Sequence, residues 1–440
     1  MLRSRQLTDF TARLEPLTGG PTVATDRRRS DPATGAATSP ASPRDTATGA
    51  SPSRILLLAT VGFMVNFWAW ALISPLGAAY GRQLELTGFQ QSALVAVPVI
   101  VGSVGRIPIG ALTDRVGARV MFPAVSLITV LPVLFVGLVA ESYVAMLIGG
   151  FFLGLGGTAF AVGVPLVNAW YPPERRGTAL GIFGIGMGGT AISAFTTVRI
   201  TESVGPEAPF LLVAALLFVY ALVGAALLRD APGRSVRRGS FLARTWTTAK
   251  LPATGQLSLL YAIGFGGFVA FSVYLPTYLI NAFGLDPNDA AMRTAGFVVL
   301  AVAMRPVGGA LCDRYDAVGV LTVFFVGAAV LAAVAALELP LIPIGTVAFL
   351  GLAACLGGAS GATFALVARM APPEKVGAVT GLVGAAGGLG GFVPPLVMGA
   401  VFDVVGDYSL GLALLALACL GTAVFTRGPV RRSARPAGPD

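Results

Sequence analysis

The chain has 440 residues, of which 55% are hydrophobic and 12% are charged, and its formal net charge is +9. Because a soluble domain carries roughly 25% charged residues, this composition excludes an ordinary soluble protein and indicates helices that cross a membrane. The sequence contains no His, which removes the commonest metal ligand and the commonest side chain that carries protons near neutral pH.

The N-terminal segment, residues 1–52, is rich in Arg, Ser, Thr, Ala, Pro and Gly and has no apolar periodicity. This composition predicts a disordered cytoplasmic tail. A cleaved transit peptide is the alternative, and the acidic residues of the segment argue against it. They are Asp9, Glu15, Asp26, Asp31 and Asp45.

Twelve apolar runs follow, each long enough for the roughly 20 residues that a helix needs to cross a bilayer. We predict an all-α membrane protein with helices near residues 55–80, 90–112, 119–139, 143–170, 177–199, 208–228, 255–282, 291–312, 318–337, 341–369, 376–402 and 406–426. A polar linker at 230–253 then separates a six-helix bundle at 53–229 from a second bundle at 254–427, with a C-terminal tail at 428–440.

The loops differ in charge on the two sides of the predicted membrane. With the N-terminus placed inside, the cytoplasmic loops hold Arg115, Arg119, Arg175, Arg176, Arg314, Lys375 and the basic linker. The opposite loops hold mainly acids, namely Glu85, Glu141, Glu202, Glu207, Asp286, Asp289, Glu338, Asp403 and Asp407. This asymmetry predicts a multi-pass protein of the inner (plasma) membrane with both termini cytoplasmic. It also accounts for the net positive charge, so the predicted partner is the lipid bilayer and not nucleic acid.

The two predicted bundles share landmarks in the same order. Residues 106–115 read Arg-Ile-Pro-Ile-Gly-Ala-Leu-Thr-Asp-Arg, and residues 305–314 read Arg-Pro-Val-Gly-Gly-Ala-Leu-Cys-Asp-Arg. A Pro-Pro-Glu motif begins at Pro172 and again at Pro372. The bundles are therefore predicted to be two copies of one six-helix unit, the design of a transporter class that binds its substrate near the midplane between the halves.

Arg106 and Arg305 occupy unusual positions in these copies. Each lies within an apolar run, about 12 Å along the helix from the Asp-Arg pair that ends it, and so inside a bilayer core of about 30 Å. The middle of the predicted spans contains no Asp, Glu, His or Lys. Because a charge that faces lipid costs several kcal/mol, the arginine pair predicts a site for a small anion.

The segment Gly110–Arg119 resembles the loop 2–3 signature of the major facilitator superfamily, and the second copy at Gly309–Asp316 is degenerate. The resemblance implies a cytoplasmic gate whose charge-assisted bonds to neighbouring helices break when that face opens. A solvated charged turn is the alternative reading. The predicted gate residues are Gly110, Asp114, Arg115, Gly309, Asp313 and Arg314.

Residues 55–426 resemble the nitrate/nitrite porters of that superfamily. Gly377–Phe392 is similar to the family's helix-11 signature, Ala303–Gly309 is similar to its helix-8 signature, and Gly181–Thr190 is the helix-5 counterpart. The glycines could also be plain helix-packing faces, and both roles are compatible. The signature glycines are Gly184, Gly186, Gly189, Gly387, Gly388, Gly390 and Gly391.

The resemblance also implies roles for individual side chains. Arg106 and Arg305 match the paired arginines that bind the anion, and a planar guanidinium suits a planar oxyanion. The implied substrate-binding residues are Arg106, Arg305, Tyr261, Phe160, Phe364 and Asn66, with Phe265 as a further helix-7 candidate. Core packing is the alternative for the two helix-4 and helix-10 phenylalanines, and an interhelical hydrogen bond is the alternative for Asn66.

One position departs from the family pattern. The family carries an Asn after the glycine equivalent to Gly186, where this chain has Met187, with Thr190 and Ser193 nearby as polar substitutes. Two substrate classes therefore stay open: nitrate and/or nitrite, or another small anion such as an organic monocarboxylate, with or without proton coupling.

A membrane-embedded enzyme or sensor is a third interpretation, but the sequence shows no metal cluster, nucleophile–base pair or output domain for it. The three cysteines, Cys312, Cys355 and Cys419, are predicted to be small buried residues. We expect a transporter that is not an enzyme, has no metal or cofactor and functions as a monomer. It would exchange nitrate for nitrite or take up nitrate for assimilation.

Overall fold

The structure is a computed structural model that describes residues 51–232, 246–372 and 375–434. Within these ranges, twelve helices are long and apolar enough to cross a membrane. They are α1 (Pro52–Gln83), α2 (Gly88–Val116), α3 (Ala118–Leu138), α4 (Tyr143–Trp170), α5 (Thr178–Ser203), α6 (Ala208–Leu227), α7 (Pro252–Phe283), α8 (Pro287–Arg314), α9 (Ala317–Ala335), α10 (Leu341–Met370), α11 (Ala378–Val405) and α12 (Ser409–Ala434). The prediction of twelve membrane helices is confirmed.

The last helix extends past the predicted start of the C-terminal tail at 428–440, because α12 continues to Ala434. Two features stabilise this end: Arg431 and Arg432 suit the negative end of a helix, and Ser433 Oγ accepts a hydrogen bond of 3.0 Å from Gln256 Nε2 of α7. The predicted N-terminal tail up to residue 50, the linker from 233 to 245 and the last six residues lie outside the described residues.

The starts of several helices follow directly from local sequence. Ser51 accepts a bond of 3.3 Å from the Arg54 amide, with Pro52 at the first helical position of α1. Thr87 and Gln90 bond to each other's backbone amides in a capping box that begins α2. Asp316 caps α9 in the same way through the Gly319 amide.

The halves of the molecule meet along two equivalent helix pairs. In the first pair α2 packs against α11, and in the second α8 packs against α5. Since helix 2 of the first bundle corresponds to helix 8 of the second, and helix 5 to helix 11, these are the same contact with the two halves exchanged. The internal repeat predicted from the sequence therefore appears as a two-fold pseudo-symmetric interface.

Contacts between the halves include the ends of the helices that lie opposite the gate motifs. The backbone amides of Gly88 and Phe89 donate to the Asp403 carboxylate at 2.6 and 2.8 Å, and Ser74 Oγ donates to the Val273 carbonyl at 2.7 Å. At the opposite end, the side chains of Arg115 and Arg314 are exposed. The structure is therefore closed at the Asp403 end of the interface.

Candidate anion-binding site between the two halves

Arg106 lies directly after a one-residue interruption of α2. The first segment of the helix ends at Val104 and the second begins at Arg106. Arg106 is only 9% exposed, and its Nη1 donates to the Gly384 carbonyl of α11 at 2.8 Å. Its Nε has no hydrogen-bond partner among the described residues. This buried cation therefore keeps one N–H donor that no described residue satisfies.

Arg305 lies in α8 at the corresponding position of the second half and is partly buried. Its Nη2 donates to the Tyr261 hydroxyl of α7 at 2.9 Å, and its Nη1 donates to the Met187 sulfur of α5 at 3.1 Å. Arg106 lies near enough to Arg305 and Tyr261 for electrostatic interaction. The two predicted cations therefore come together between the halves.

The two guanidinium groups make reciprocal contacts. Arg106 of the first half bonds to α11 of the second, and Arg305 of the second half bonds to α5 of the first. Every hydrogen-bond acceptor named here is uncharged: a carbonyl, a hydroxyl and a thioether. The site therefore carries positive charge that these contacts do not neutralise.

Aromatic rings flank both cations. The Arg106 guanidinium lies 5.1 Å from the centre of the Phe160 ring, and the Arg305 guanidinium lies 5.1 Å from the centre of the Phe265 ring. Each pair is within cation–π range. Phe364 instead contacts the Tyr261 ring, with centroids 4.7 Å apart. The weaker sequence candidate on helix 7, Phe265, is thus the ring that contacts Arg305.

Asn66 lies in the packing of the first bundle. It is fully buried, and its Nδ2 donates to the Gly62 carbonyl and to Ser126 Oγ, both at 2.8 Å. These bonds connect α1 to α3. The observed contacts are those of the interhelical hydrogen bond that was the alternative for this residue.

The signature glycines fall into two groups, according to whether an added Cβ would clash with a neighbouring helix. An added Cβ would clash with α1 at Gly186 and Gly189, with α7 at Gly387, Gly390 and Gly391, and with Ser103 of α2 at Gly388. A Cβ at Gly184 would lie in ordinary contact with the Met187 methyl, at 3.9 Å. Most of the signature therefore allows close helix packing, while Gly184 borders the site.

Two site groups were not predicted from the sequence. The Gly384 carbonyl is a backbone acceptor without a side-chain signal, although it lies 200 positions after Gly184 in the repeated signature. Met187 was noted only for lacking an amide. Thr190 and Ser193 do not replace that amide, because Thr190 Oγ1 donates to the Met187 carbonyl at 2.9 Å and Ser193 Oγ pairs with Thr197 at 3.2 Å.

The predicted gate residues lie together at one end of the helices. Asp114 is partly buried and interacts with a neighbour, whereas Arg115, Asp313 and Arg314 are exposed. A Cβ added at Gly110 would lie 3.9 Å from the Ala161 methyl, and one at Gly309 would enter open space. A contact that was not predicted holds the end of α8, where Arg369 Nη2 of α10 donates to the Cys312 carbonyl at 2.6 Å.

The side chains that could bind a metal or form a disulfide are few. In the described ranges, no three His, Cys, Asp or Glu side chains are grouped so that they could hold a metal ion. Cys312, Cys355 and Cys419 are free thiols, of which Cys312 and Cys419 are buried.

Comparison with known proteins places the chain in a family. The family model of the Major Facilitator Superfamily matches residues 59–395 and 257–439. The probable nitrate/nitrite transporter NarK2 of Mycobacterium tuberculosis is 50% identical over 386 residues, which cover 86% of this chain and 98% of that protein. The nitrite extrusion protein of Bacillus subtilis is 36% identical over 84% of this chain and 92% of its own length.

A solved structure has the same fold. The bacterial homolog of the human lysosomal transporter Spinster, in an inward-facing and occupied conformation, superposes with a TM-score of 0.69 at 18% identity. The superposition covers 89% of this chain and all of that chain. With twelve membrane helices among the described residues, the repeated halves and these relatives, the chain belongs to the Major Facilitator Superfamily and, within it, to the family of nitrate/nitrite porters.

Proposed function

We propose that this protein transports nitrate and nitrite across a membrane by alternating access, and that it exchanges one anion for the other. The observation that carries the proposal is the pair of guanidinium groups contributed by opposite halves, bonded to uncharged acceptors. An anion bound between them would contact both halves at once. The names of the relatives supply the identity of the anion.

The chemistry of the site suits a planar oxyanion. A guanidinium presents parallel N–H donors in one plane and keeps its charge at all physiological pH values. The Phe160 and Phe265 rings lie beside the two guanidinium groups and offer flat surfaces next to the donors. Nitrate and nitrite are flat, small and singly charged, so they match both the donors and the rings.

The proposal of exchange rests on the positive charge that Arg106 and Arg305 give the site when no anion is bound. The groups around the two arginines are a carbonyl, a hydroxyl, a thioether and aromatic rings, with no carboxylate or imidazole among those contacts to carry a proton. Two like charges disfavour closure of the halves around an empty cavity. A bound anion relieves this repulsion, so the loaded carrier reorients far more readily than the empty one.

The placement in the cell is also part of the proposal. We place both termini in the cytoplasm and the protein in the inner (plasma) membrane, because the basic loops lie on the side of the gate motifs. The bundle boundaries remain those of 53–229 and 254–427. One chain supplies both arginines, so we propose that a monomer is the functional unit and that it is a carrier and not an enzyme.

The direct test is exchange in proteoliposomes. Vesicles with purified protein are loaded with nitrate, and uptake of labelled nitrite is measured. We expect rapid uptake, and a rate reduced roughly tenfold or more by Arg305→Lys, which keeps the charge but loses the planar fork. The control is Arg199→Lys, because Arg199 is half-buried and, among the described residues, its guanidinium contacts Phe195 of its own helix.

Three outcomes would contradict the proposal. The first is a wild-type protein that moves neither anion. The second is transport of a monocarboxylate such as formate without transport of nitrate or nitrite. The third is equal activity of the Arg305→Lys and Arg199→Lys variants.

A further inference from the structure

The position of Met187 is set by the first half of the protein. It lies in a tight turn, Ile185–Gly188, which interrupts α5, and its side chain is 1% exposed. Two nearby glycines, Gly186 and Gly189, pack directly on α1. A Cβ at Gly186 would lie 2.6 Å from the Phe63 ring, and one at Gly189 would clash with the Met64 carbonyl. The backbone that carries the Met187 sulfur therefore moves with α1.

The position of Arg305 is set by the second half in the same manner. Its backbone lies against α10, where a Cβ on Gly361 would clash with the Arg305 carbonyl. Three residues later, Gly308 makes an equally close approach to Gly358. The Arg305 side chain is thus held at its base by one half, while its Nη1 donates to a sulfur held by the other half.

This bond joins the halves through the middle of the proposed site. Its counterpart is the bond from Arg106 to the Gly384 carbonyl. Both connect helices that must move apart when the halves rock. The carbonyl is part of the backbone and is present whatever residue occupies that position. Of these two acceptors, only the Met187 sulfur belongs to a side chain, so a substitution can remove it.

We propose that Met187 is a positioning residue, whose thioether sulfur holds Arg305 across the interface of the empty site and restrains reorientation of the unloaded carrier. The inference rests on the proposed anion exchange. A thioether is a weak acceptor. An anionic oxygen accepts from a guanidinium roughly twice as strongly as a neutral group. An arriving anion therefore displaces the sulfur, and the loaded carrier is released from this restraint.

The test compares two fluxes in the same proteoliposomes. Labelled nitrite efflux is measured into medium with nitrate, which reports exchange, and into anion-free medium with the membrane potential clamped, which reports return of the empty carrier. In the wild type we expect the ratio of net flux to exchange flux to be low. Met187→Leu has similar volume and no acceptor, and should raise this ratio about threefold to tenfold, the effect of one hydrogen bond.

Two further variants isolate the acceptor. Met187→Gln restores an acceptor of similar length and should return the ratio toward the wild-type value. Met146→Leu makes the same change at another methionine that is 1% exposed, in α4, and should leave the ratio unaltered. Nitrite binding to purified protein gives a second readout, because Met187→Leu frees Arg305 and should tighten binding about twofold or more.

The outcomes separate this inference from the proposed function. If the ratio and the nitrite affinity of Met187→Leu equal those of the wild type, or if Met187→Gln behaves like Met187→Leu, the role of Met187 is overturned while exchange stands. If wild-type net flux equals exchange flux, both the restraint and strict exchange are overturned, although anion transport stands. If the wild type moves neither anion, the proposed function itself fails.

Discussion

Asp403, at the end of α11, accepts hydrogen bonds from the first two backbone amides of α2, those of Gly88 at 2.6 Å and Phe89 at 2.8 Å. A carboxylate at a helix N-terminus also interacts favourably with the helix dipole. The two helices belong to different halves, so this contact closes the interface at the end opposite the gate motifs. A carrier that alternates its access must break the contact in each cycle.

We predict that Asp403→Asn weakens this closure, because the amide loses the charge and one of two acceptor oxygens. Ser92 is fully buried in α2 beside Gly399 of α11, so Ser92→Cys reports opening at this end. Its labelling by a membrane-impermeant thiol reagent should be roughly twofold to fivefold faster with Asp403→Asn. Labelling of the native cysteines is measured without Ser92→Cys and subtracted.

Asp407→Asn is the matched control for this prediction. Asp407 lies four residues later, in the loop after α11, but it accepts from the Ser409 amide and hydroxyl at the start of α12 and so bonds within its own half. It should leave the labelling rate unaltered. Equal rates in the two variants would show that Asp403 does not hold the interface closed.

A second prediction concerns the same crossing of α2 and α11. A Cβ at Gly399 would clash with Ser92 Oγ and lie 2.5 Å from the Gly88 carbonyl oxygen. Gly399→Ala should therefore force the helices apart and lower stability by about 1–3 kcal/mol, as overpacking does. The measurements are the thermal unfolding midpoint in detergent and the exchange rate in vesicles.

Gly421 of α12 provides the comparison, because it has open space around it. Gly421→Ala should be neutral or slightly stabilising, since Ala favours a helix over Gly. If both alanine variants unfold at the wild-type temperature and exchange at the wild-type rate, the close approach at Gly399 does not matter for closure.

A third prediction separates the two aromatic residues near Arg305. Phe265 lies beside the guanidinium, whereas Phe364 contacts the Tyr261 ring. Phe265→Leu removes a cation–π contact of about 0.5–2 kcal/mol and should weaken nitrite binding roughly twofold to thirtyfold. Phe364→Leu should weaken it less. Nitrite titration of the purified variants gives both dissociation constants, and a larger effect at Phe364 would favour direct stacking of that ring on the anion.

Much of the fold could be predicted from the sequence because a bilayer imposes simple rules. A helix that crosses it needs about 20 apolar residues and satisfies its own backbone hydrogen bonds, so run length predicted the twelve helices. Apolar content falls after residue 426, and the helical continuation of α12 to Ala434 is accompanied by helix-end basic residues and a bond from Gln256 to Ser433.

The candidate site was predicted in part. Arg106 and Arg305 could be identified because a charged side chain inside an apolar run is energetically costly unless it binds a partner. The contacts of Asn66 were not predictable in the same way, because an amide in a membrane helix serves a ligand or a neighbouring helix equally well. Only the position of Ser126, on another helix, shows which partner the amide has.

The sequence by itself determined the number of helices, the repeated halves and the two cations inside apolar runs, because hydrophobic length and charge are properties of each segment alone. Tertiary structure decided what those cations contact. Arg106 bonds to a carbonyl 278 positions away, and Arg305 bonds to a sulfur 118 positions away. Such partners depend on how the two halves pack. Every residue has a backbone carbonyl, so the sequence does not show which one accepts a hydrogen bond. A methionine is typical of a hydrophobic core, and only the structure shows a guanidinium beside it.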